Sequence, residues 1–453
     1  MTPMSGGTLA ALVGLVVVAA LLGWLRWRRP VWYWLGFGWL ATLVRLTGSF
    51  RSVMEACGLT EHPSRSRVWL AAAMDRVPER AVPKLRGLKI TRSGLELRIN
   101  LLPGQEVLDF DAATERLRHS WRMHGVHVKA LKPGYLIVRL IAYDVLRRVQ
   151  MPRTVESEPL RVPVALRADG AVHVRDFRAS PHELVIGATE SGKSVYLRGL
   201  IKGLAAQRVA LVGIDCKWGV ELAPFARRLS ALAYTPEDAG ALLDVLVEEM
   251  TRRYELIRAS QGLDPDLPME SLTSDVWGLP EDIRPVPLVL IVDEVAELFL
   301  IVSKADEKKR DHMVTQLVRL AQLGRAAAIY LEICGQRFGS ELGSGATALR
   351  AQLSGRVAHR VNDEASAKMA LGDISLRAVS AATAIAAERR GTAVIGLVTG
   401  GWARIRSPFV SLDEAAAACA KHEGLTPDIP SLEAFRPHRP APAEIPVQAT
   451  QNA

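Results

Sequence analysis

The sequence predicts an α/β protein, a mostly parallel sheet with helices on both faces, preceded by a small α+β domain and an apolar N-terminal segment. Three observations predict it. From residue 181 onward, short apolar runs such as LVIG, RVALVGI and PLVLIV alternate with helical stretches, the pattern of a parallel sheet buried on both sides. Between residues 84 and 143, apolar and polar residues alternate with period two around turn dipeptides. Residues 6–25 carry no charge at all. The expected divisions are a membrane anchor over 1–50, a small α/β domain and linker over 51–160, a large α/β domain over 161–425 and a disordered Pro/Ala-rich tail over 426–453.

The apolar run GGTLAALVGLVVVAALLGWL spans 20 positions. As a helix rising about 1.5 Å per residue it covers about 30 Å, the hydrocarbon thickness of a bilayer. Arg26, Arg28 and Arg29 follow it, Trp24 and Trp27 flank its end, and no basic residue precedes it. A cleaved signal peptide has the reverse charge order, so the run reads as a membrane anchor. The aromatic stretch 31–44, VWYWLGFGWLATLV, stops at Arg45. It either lies in the interface or forms a second, short span. The reading leans to two membrane-embedded segments.

In the next part, RGLKITR and LELRINL flank Ser93-Gly94 as a hairpin, with Leu95, Leu97, Ile99 and Leu101 on one face. Residues 107–123 carry helical periodicity through Leu108, Ala112, Leu117 and Trp121. Strands are expected at 126–131 and 135–143. The domain reads as a spacer or collar without chemistry. Residues 162–177 form a further hairpin about Asp169-Gly170.

Chemistry enters at LVIGATESGKSV. An apolar strand runs into Gly187, Ala188, Thr189, Glu190, Ser191, Gly192, Lys193, Ser194 and Val195, and a helix follows. This is GxxxxGK[ST] in its strand-to-helix context. The glycines let the backbone curl its N–H groups around phosphates, and the helix start adds its positive dipole end. Lys193 reaches the outer phosphates of ATP, and the Ser194 hydroxyl joins the shell of Mg2+. In PLVLIVDE, Asp293 is placed to hold the metal through water, and Glu294 to polarise the attacking water as general base. RVALVGIDCK is another core strand, ending at Asp215 and Lys217, and AAIYLEICGQR one ending at Gln336 and Arg337. Thr235, Pro236 and Asp238 open a helix over 235–257. ATP is a cytoplasmic fuel, so the motor is expected on that face of the cell membrane.

Net charge is +9 with a pI near 9.5, which favours polyanionic partners. A 49% hydrophobic content excludes a disordered chain. Cys57, Cys216, Cys334 and Cys419 are scattered without metal spacing and read as plain thiols.

Six segments in order, PHELVIGATESGKSV, GIDCK, EEMTRRYELI, LVLIVDEVAEL, LGRAAAIYLEICGQR and RIRSPFVSLDEA, resemble the FtsK/SpoIIIE motors over residues 160–415. The short membrane end and SGLELRINLLPGQ look closest to the actinomycete plasmid-transfer (Tra) branch. The resemblance implies a RecA-like P-loop NTPase fold and a homo-hexameric ring that pumps double-stranded DNA at a membrane during conjugation. It makes Gln336 a sensor and Arg325 a finger that reaches the neighbouring subunit's γ-phosphate. Arg350, Arg356 and Arg360 are pore or interface candidates. The departures are Gly335 and Phe338 in place of the Thr and Pro of the family's TQRP motif, and no winged-helix or four-span module. Alternatives are a chromosome-partition motor at division or sporulation and a type VII-like protein-secretion ATPase.

Overall fold

The structure is a computed structural model that describes residues 6–62, 69, 73–75, 80–152, 158–261, 272–300, 304–338 and 345–437. Side chains of the first helix are described from Val13 on. Two compact units form: Met1–Arg148 with Ala168–Ala171, and Val149–Arg167 with Val172–Ala453.

In the first unit, α1 (Gly6–Arg28) leads through Arg29 into α2 (Pro30–Tyr33), a π-helical turn Trp34–Gly38, and α3 (Trp39–Ala56). Pro30 opens α2 where a missing N–H costs nothing. Along α1, Val16, Val17, Leu21 and Trp24 are exposed. Among the described residues, no helix is long and apolar enough to cross a membrane. Residues 1–5 of the expected anchor lie outside the described residues, as do the side chains of 6–12.

Strands β1 (Lys84–Ile90), β2 (Gly94–Asn100), β3 (Gly125–Lys132) and β4 (Tyr135–Ile141) make an antiparallel sheet in the order β1-β2-β4-β3. Leu95, Leu97 and Ile99 share its buried face. The expected single helix is broken at Ala113 into α4 (Val107–Ala112) and α5 (Thr114–Ser120). The break moves the buried stripe to Phe110, Ala113, Leu117 and Trp121 and leaves Leu108 exposed.

The aromatic stretch 31–44 also departs from expectation. Trp34 and Leu46 are buried in the same core as Leu95 and Trp121, and Trp34 Nε1 donates to Thr91 O at 2.8 Å. Phe50 stacks on Trp121 at 6.2 Å, and Arg45 donates to the Trp121 carbonyl. One side of α2–α3 is therefore protein core and not lipid-embedded, and the boundary expected at 50 falls inside α3. Trp32, Phe37, Leu40 and Val44 remain exposed on it.

The second unit holds one ten-stranded sheet. Its strands are β5 (Arg161–Arg167), β6 (Val172–Asp176), β7 (His182–Ile186), β8 (Ala210–Ile214), β9 (Leu229–Ala233), β10 (Leu288–Val292), β11 (Ile329–Gly335), β12 (Gly355–His359), β13 (Thr392–Gly396) and β14 (Trp402–Arg406). The order is β6-β5-β14-β13-β12-β7-β11-β10-β8-β9. From β12 to β9 every neighbour is parallel. From β12 back to β6 every neighbour is antiparallel. The parallel half needs helical crossovers, whereas β5–β6 and β13–β14 close by short turns.

Alternation along the strands feeds two cores. Leu184, Ile186, Leu290, Val292, Leu331 and Ile333 face α7 (Pro236–Gln261), α8 (Lys304–Leu323), α9 (Ala346–Gln352), α10 (Glu364–Leu371) and α11 (Leu376–Thr383). Val185, Leu211, Val289, Ile291 and Tyr330 face α6 (Lys193–Ala205) and α12 (Leu412–Lys421). Thr235 and Asp238 exchange the two hydrogen bonds of a capping box at the start of α7. The tail expected to be structureless from 426 is ordered as far as 437. Ile429 and Leu432 plug into the helical core, and their burial anchors the short 3-10 helix Pro430–Phe435. Residues 438–453 lie outside the described residues.

Candidate active site

The loop between β7 and α6 is shaped by contacts that only small residues permit. Gly192 has φ +104°, and a Cβ there would lie 2.3 Å from Gly391 N. At Gly187 a Cβ would meet Ser191 Oγ at 2.5 Å and His359 Cβ at 2.9 Å. Backbone bonds pin the loop to its surroundings: Gly187 N to Gly335 O, Ala188 N to Arg360 O, and Gly391 N to Ser191 O. Glu190, itself at φ +60°, pairs with Arg390 at 2.6 Å.

Lys193 opens α6 and turns its ammonium to the end of β10. It donates to Asp293 O at 2.5 Å and stands 3.6 Å from Asp293 Oδ1 and 3.8 Å from Glu294 Oε2. Asp293 and Glu294 are both buried. Glu294 Oε1 accepts from Gln336 N at 3.2 Å, so the end of β11 orients it. Asp293 Oδ1, Glu294 Oε2 and Ser191 Oγ are buried without a hydrogen-bond partner. Orphaned acceptors beside a glycine loop and a lysine are what a magnesium nucleotide would satisfy, so the residues fit that group.

Sequence reasoning named Lys217 but gave it no role. Its ammonium lies 3.6 Å from Asp293 Oδ2 and 3.5 Å from Glu294 Oε2. Burial works against its charge, but the two carboxylates outweigh burial and lift its pKa above the ordinary lysine value. His359 was missed. It is fully buried at the end of β12, edge-on to Tyr196 at 5.7 Å. Burial, aided by the nearby Lys193 charge, holds its pKa at about 4.

Also missed was the ion cluster beneath the loop. Arg175 on β6 lies 3.1 Å from Glu332 on β11 and 3.4 Å from Glu183 on β7. Tyr196 donates to Glu183 at 2.7 Å. Glu183 and Glu332 are register partners, and acids inside two otherwise apolar strands were the available signal.

The structure brings Gly187–Ser194, Asp293, Glu294 and Gln336 together and leaves Arg325 away from them. Arg325 precedes β11 and lines a separate hollow with Arg178, Trp277 and Tyr330. From Ile329 to Gly335 that strand rises about 20 Å, and Gln336 follows its far end. Of the pore candidates, Arg356 is buried and spends its guanidinium on Leu353 O and Arg350 O, which removes it as a DNA contact. Arg360 donates to Thr189 O at 3.0 Å and so braces the phosphate loop. Arg350 donates to Met369 O.

Residues 145–340 match the FtsK/SpoIIIE family, and residues 18–142 match the actinomycete conjugal transfer protein N-terminal domain. The Transfer protein TraSA of Streptomyces ambofaciens is 57% identical over 413 residues, 90% of this chain and 100% of that protein. The chain belongs to the FtsK/SpoIIIE family. It is a P-loop ATPase. The DNA translocase FtsK of Lactococcus lactis subsp. cremoris is 32% identical over 224 residues, 46% of this chain but only 28% of that protein. The fold is that of the pCW3 conjugation coupling protein TcpA, solved with ATPγS, at a TM-score of 0.52 and 19% identity over 75% of this chain and 93% of that one. Loop and acids stand at the ends of the parallel strands β7 and β10, with β11 between them, at the edge where open α/β sheets bind ligands.

Proposed function

We propose that this chain is a membrane-anchored, ATP-driven double-stranded DNA translocase that serves conjugative transfer. The observation that carries the motor reading is the grouping of Lys193, Asp293, Glu294 and the Gln336 N–H about one point. Lys193 and the loop backbone of 187–195 would hold the phosphates, and Ser194 and Asp293 would hold the magnesium ion. That ion, when bound, neutralises phosphate charge and orients the γ-phosphoryl group. Glu294 accepts a hydrogen bond from water at Oε2, the oxygen left free by Gln336, and draws off its proton as the water attacks. Gln336 fixes the position of that base.

The transfer task is supported by the likeness to Transfer protein TraSA, 57% identical and matched over its full length. Net charge +9 supports a polyanionic cargo tracked by its phosphates. Anchoring is supported by the charge-free run 6–25 followed by three arginines. Because α2–α3 has one side in protein core, a single span with Trp32, Phe37, Leu40 and Val44 lying in the interface fits better than two spans. Arg325, far from its own subunit's loop, suits a ring in which it serves the next subunit.

The test is ATP hydrolysis by the full chain in lipid nanodiscs with and without linear duplex DNA. Stimulation by duplex, lost in Lys193→Ala and Glu294→Gln, is expected. Hydrolysis that ignores both duplex and single strands would overturn the DNA cargo and favour protein export.

A further inference from the structure

We infer that Lys217 is a second cation of the phosphate site, one that binds the terminal phosphate of the nucleotide and so separates triphosphate from diphosphate. The inference rests on the nucleotide reading of the loop.

The turn that carries Lys217 is built to hold it in place. Asp215, buried at the end of β8, accepts Lys217 N at 3.2 Å, Glu221 N at 2.9 Å and Leu222 N at 3.1 Å. Three backbone donors on one carboxylate fix the segment 215–222 as a rigid loop. Trp218 beside it takes the left-handed conformation at φ +61°, which a non-glycine residue holds only where its surroundings impose it.

From this turn Lys217 reaches the same two acids as Lys193. Lys193 takes Asp293 Oδ1 and Lys217 takes Asp293 Oδ2, and both approach Glu294 Oε2. Lys217 also lines a cavity of about 280 Å³ with Ala188, Glu294, Gln336, Arg337 and Asp363. This cavity opens between Ala188 at the start of the loop and Glu294. A magnesium ion held at Asp293 would supply there the positive charge that Lys217 supplies in the structure, and a γ-phosphate would compete with Glu294 for the ammonium. With Asp293 taken up by the metal, the terminal phosphate and Glu294 would be the anions left to Lys217, and the phosphate carries the greater charge.

The test uses the full chain in nanodiscs and fluorescent ATPγS and ADP analogues with Mg2+, read as binding affinities. In Lys217→Ala, ATPγS affinity should fall about tenfold while ADP affinity stays within about twofold, the loss of one charge-assisted contact. Lys217→Arg should recover most of the difference. Equal or tighter ATPγS binding in Lys217→Ala would overturn the inference and make Lys217 a latch on the acids. A matching loss of ATPγS and ADP would overturn it too, since that marks a general defect of the loop. Wild type that binds neither nucleotide sinks the phosphate-site reading itself and the inference with it.

Discussion

Lys193 and Glu294 are held by different means, and their substitutions should separate. Lys193→Ala removes the ammonium that faces the phosphates, so nucleotide binding and hydrolysis should both fail. Glu294→Gln keeps the acceptor for Gln336 N but lacks a base, so nucleotide should still bind while hydrolysis drops about 100-fold or more. Equilibrium binding alongside steady-state turnover checks both. Gly192→Ala is a steric prediction. With φ at +104° and Gly391 N 2.3 Å from the new Cβ, the loop must deform, and nucleotide binding should be lost at a lowered Tm. The loop was legible because its chemistry needs particular residue types at fixed spacing. His359 was not, because a lone histidine in an apolar strand carries no pattern. Its folded pKa near 4 against 6.5 unfolded means the unfolded chain binds more protons between those values. Its contribution is therefore whole above pH 6.5 and fades as pH falls toward 4, by about 2 kcal/mol at pH 5. Thermal unfolding from pH 7 to 5 should show this slope, and His359→Phe should flatten it.

Strands and helices of the parallel half could be read from sequence because each is an uninterrupted apolar run or a capped periodic stretch. Their partners could not. The antiparallel extension through β13, β14, β5 and β6 depends on which edge a hairpin meets, and nothing local records that. The ion cluster joining β6, β7 and β11 belongs to the same level. Burial and the neighbouring Glu183 push the Glu332 carboxyl well above the usual range, which favours its neutral form. A neutral amide of the same shape should then replace it with little effect. Glu332→Gln is expected to leave Tm nearly unchanged. Glu332→Ala, which strips Arg175 of a buried partner, should destabilise by about 3 kcal/mol or more. Denaturant unfolding of the two variants decides whether the cluster is held as described.

At the scale of the whole chain, domain divisions taken from composition were displaced by packing. Aromatic content made 31–44 look like lipid contact, yet Trp34, Leu46 and Met54 complete the core of the first unit. A chain begun at Pro30 should keep that unit's thermal transition, and one begun at Arg51 should lose it. Calorimetry of both truncations is the check. The separation of Arg325 from Gln336 along β11 bears on assembly. Subunits carrying Lys193→Ala and subunits carrying Arg325→Ala should each be inert as pure preparations. Mixed before assembly, some junctions would join an intact loop on one copy to an intact arginine on the next. Two dead proteins would then regain a fraction of turnover, set by how often unlike neighbours meet.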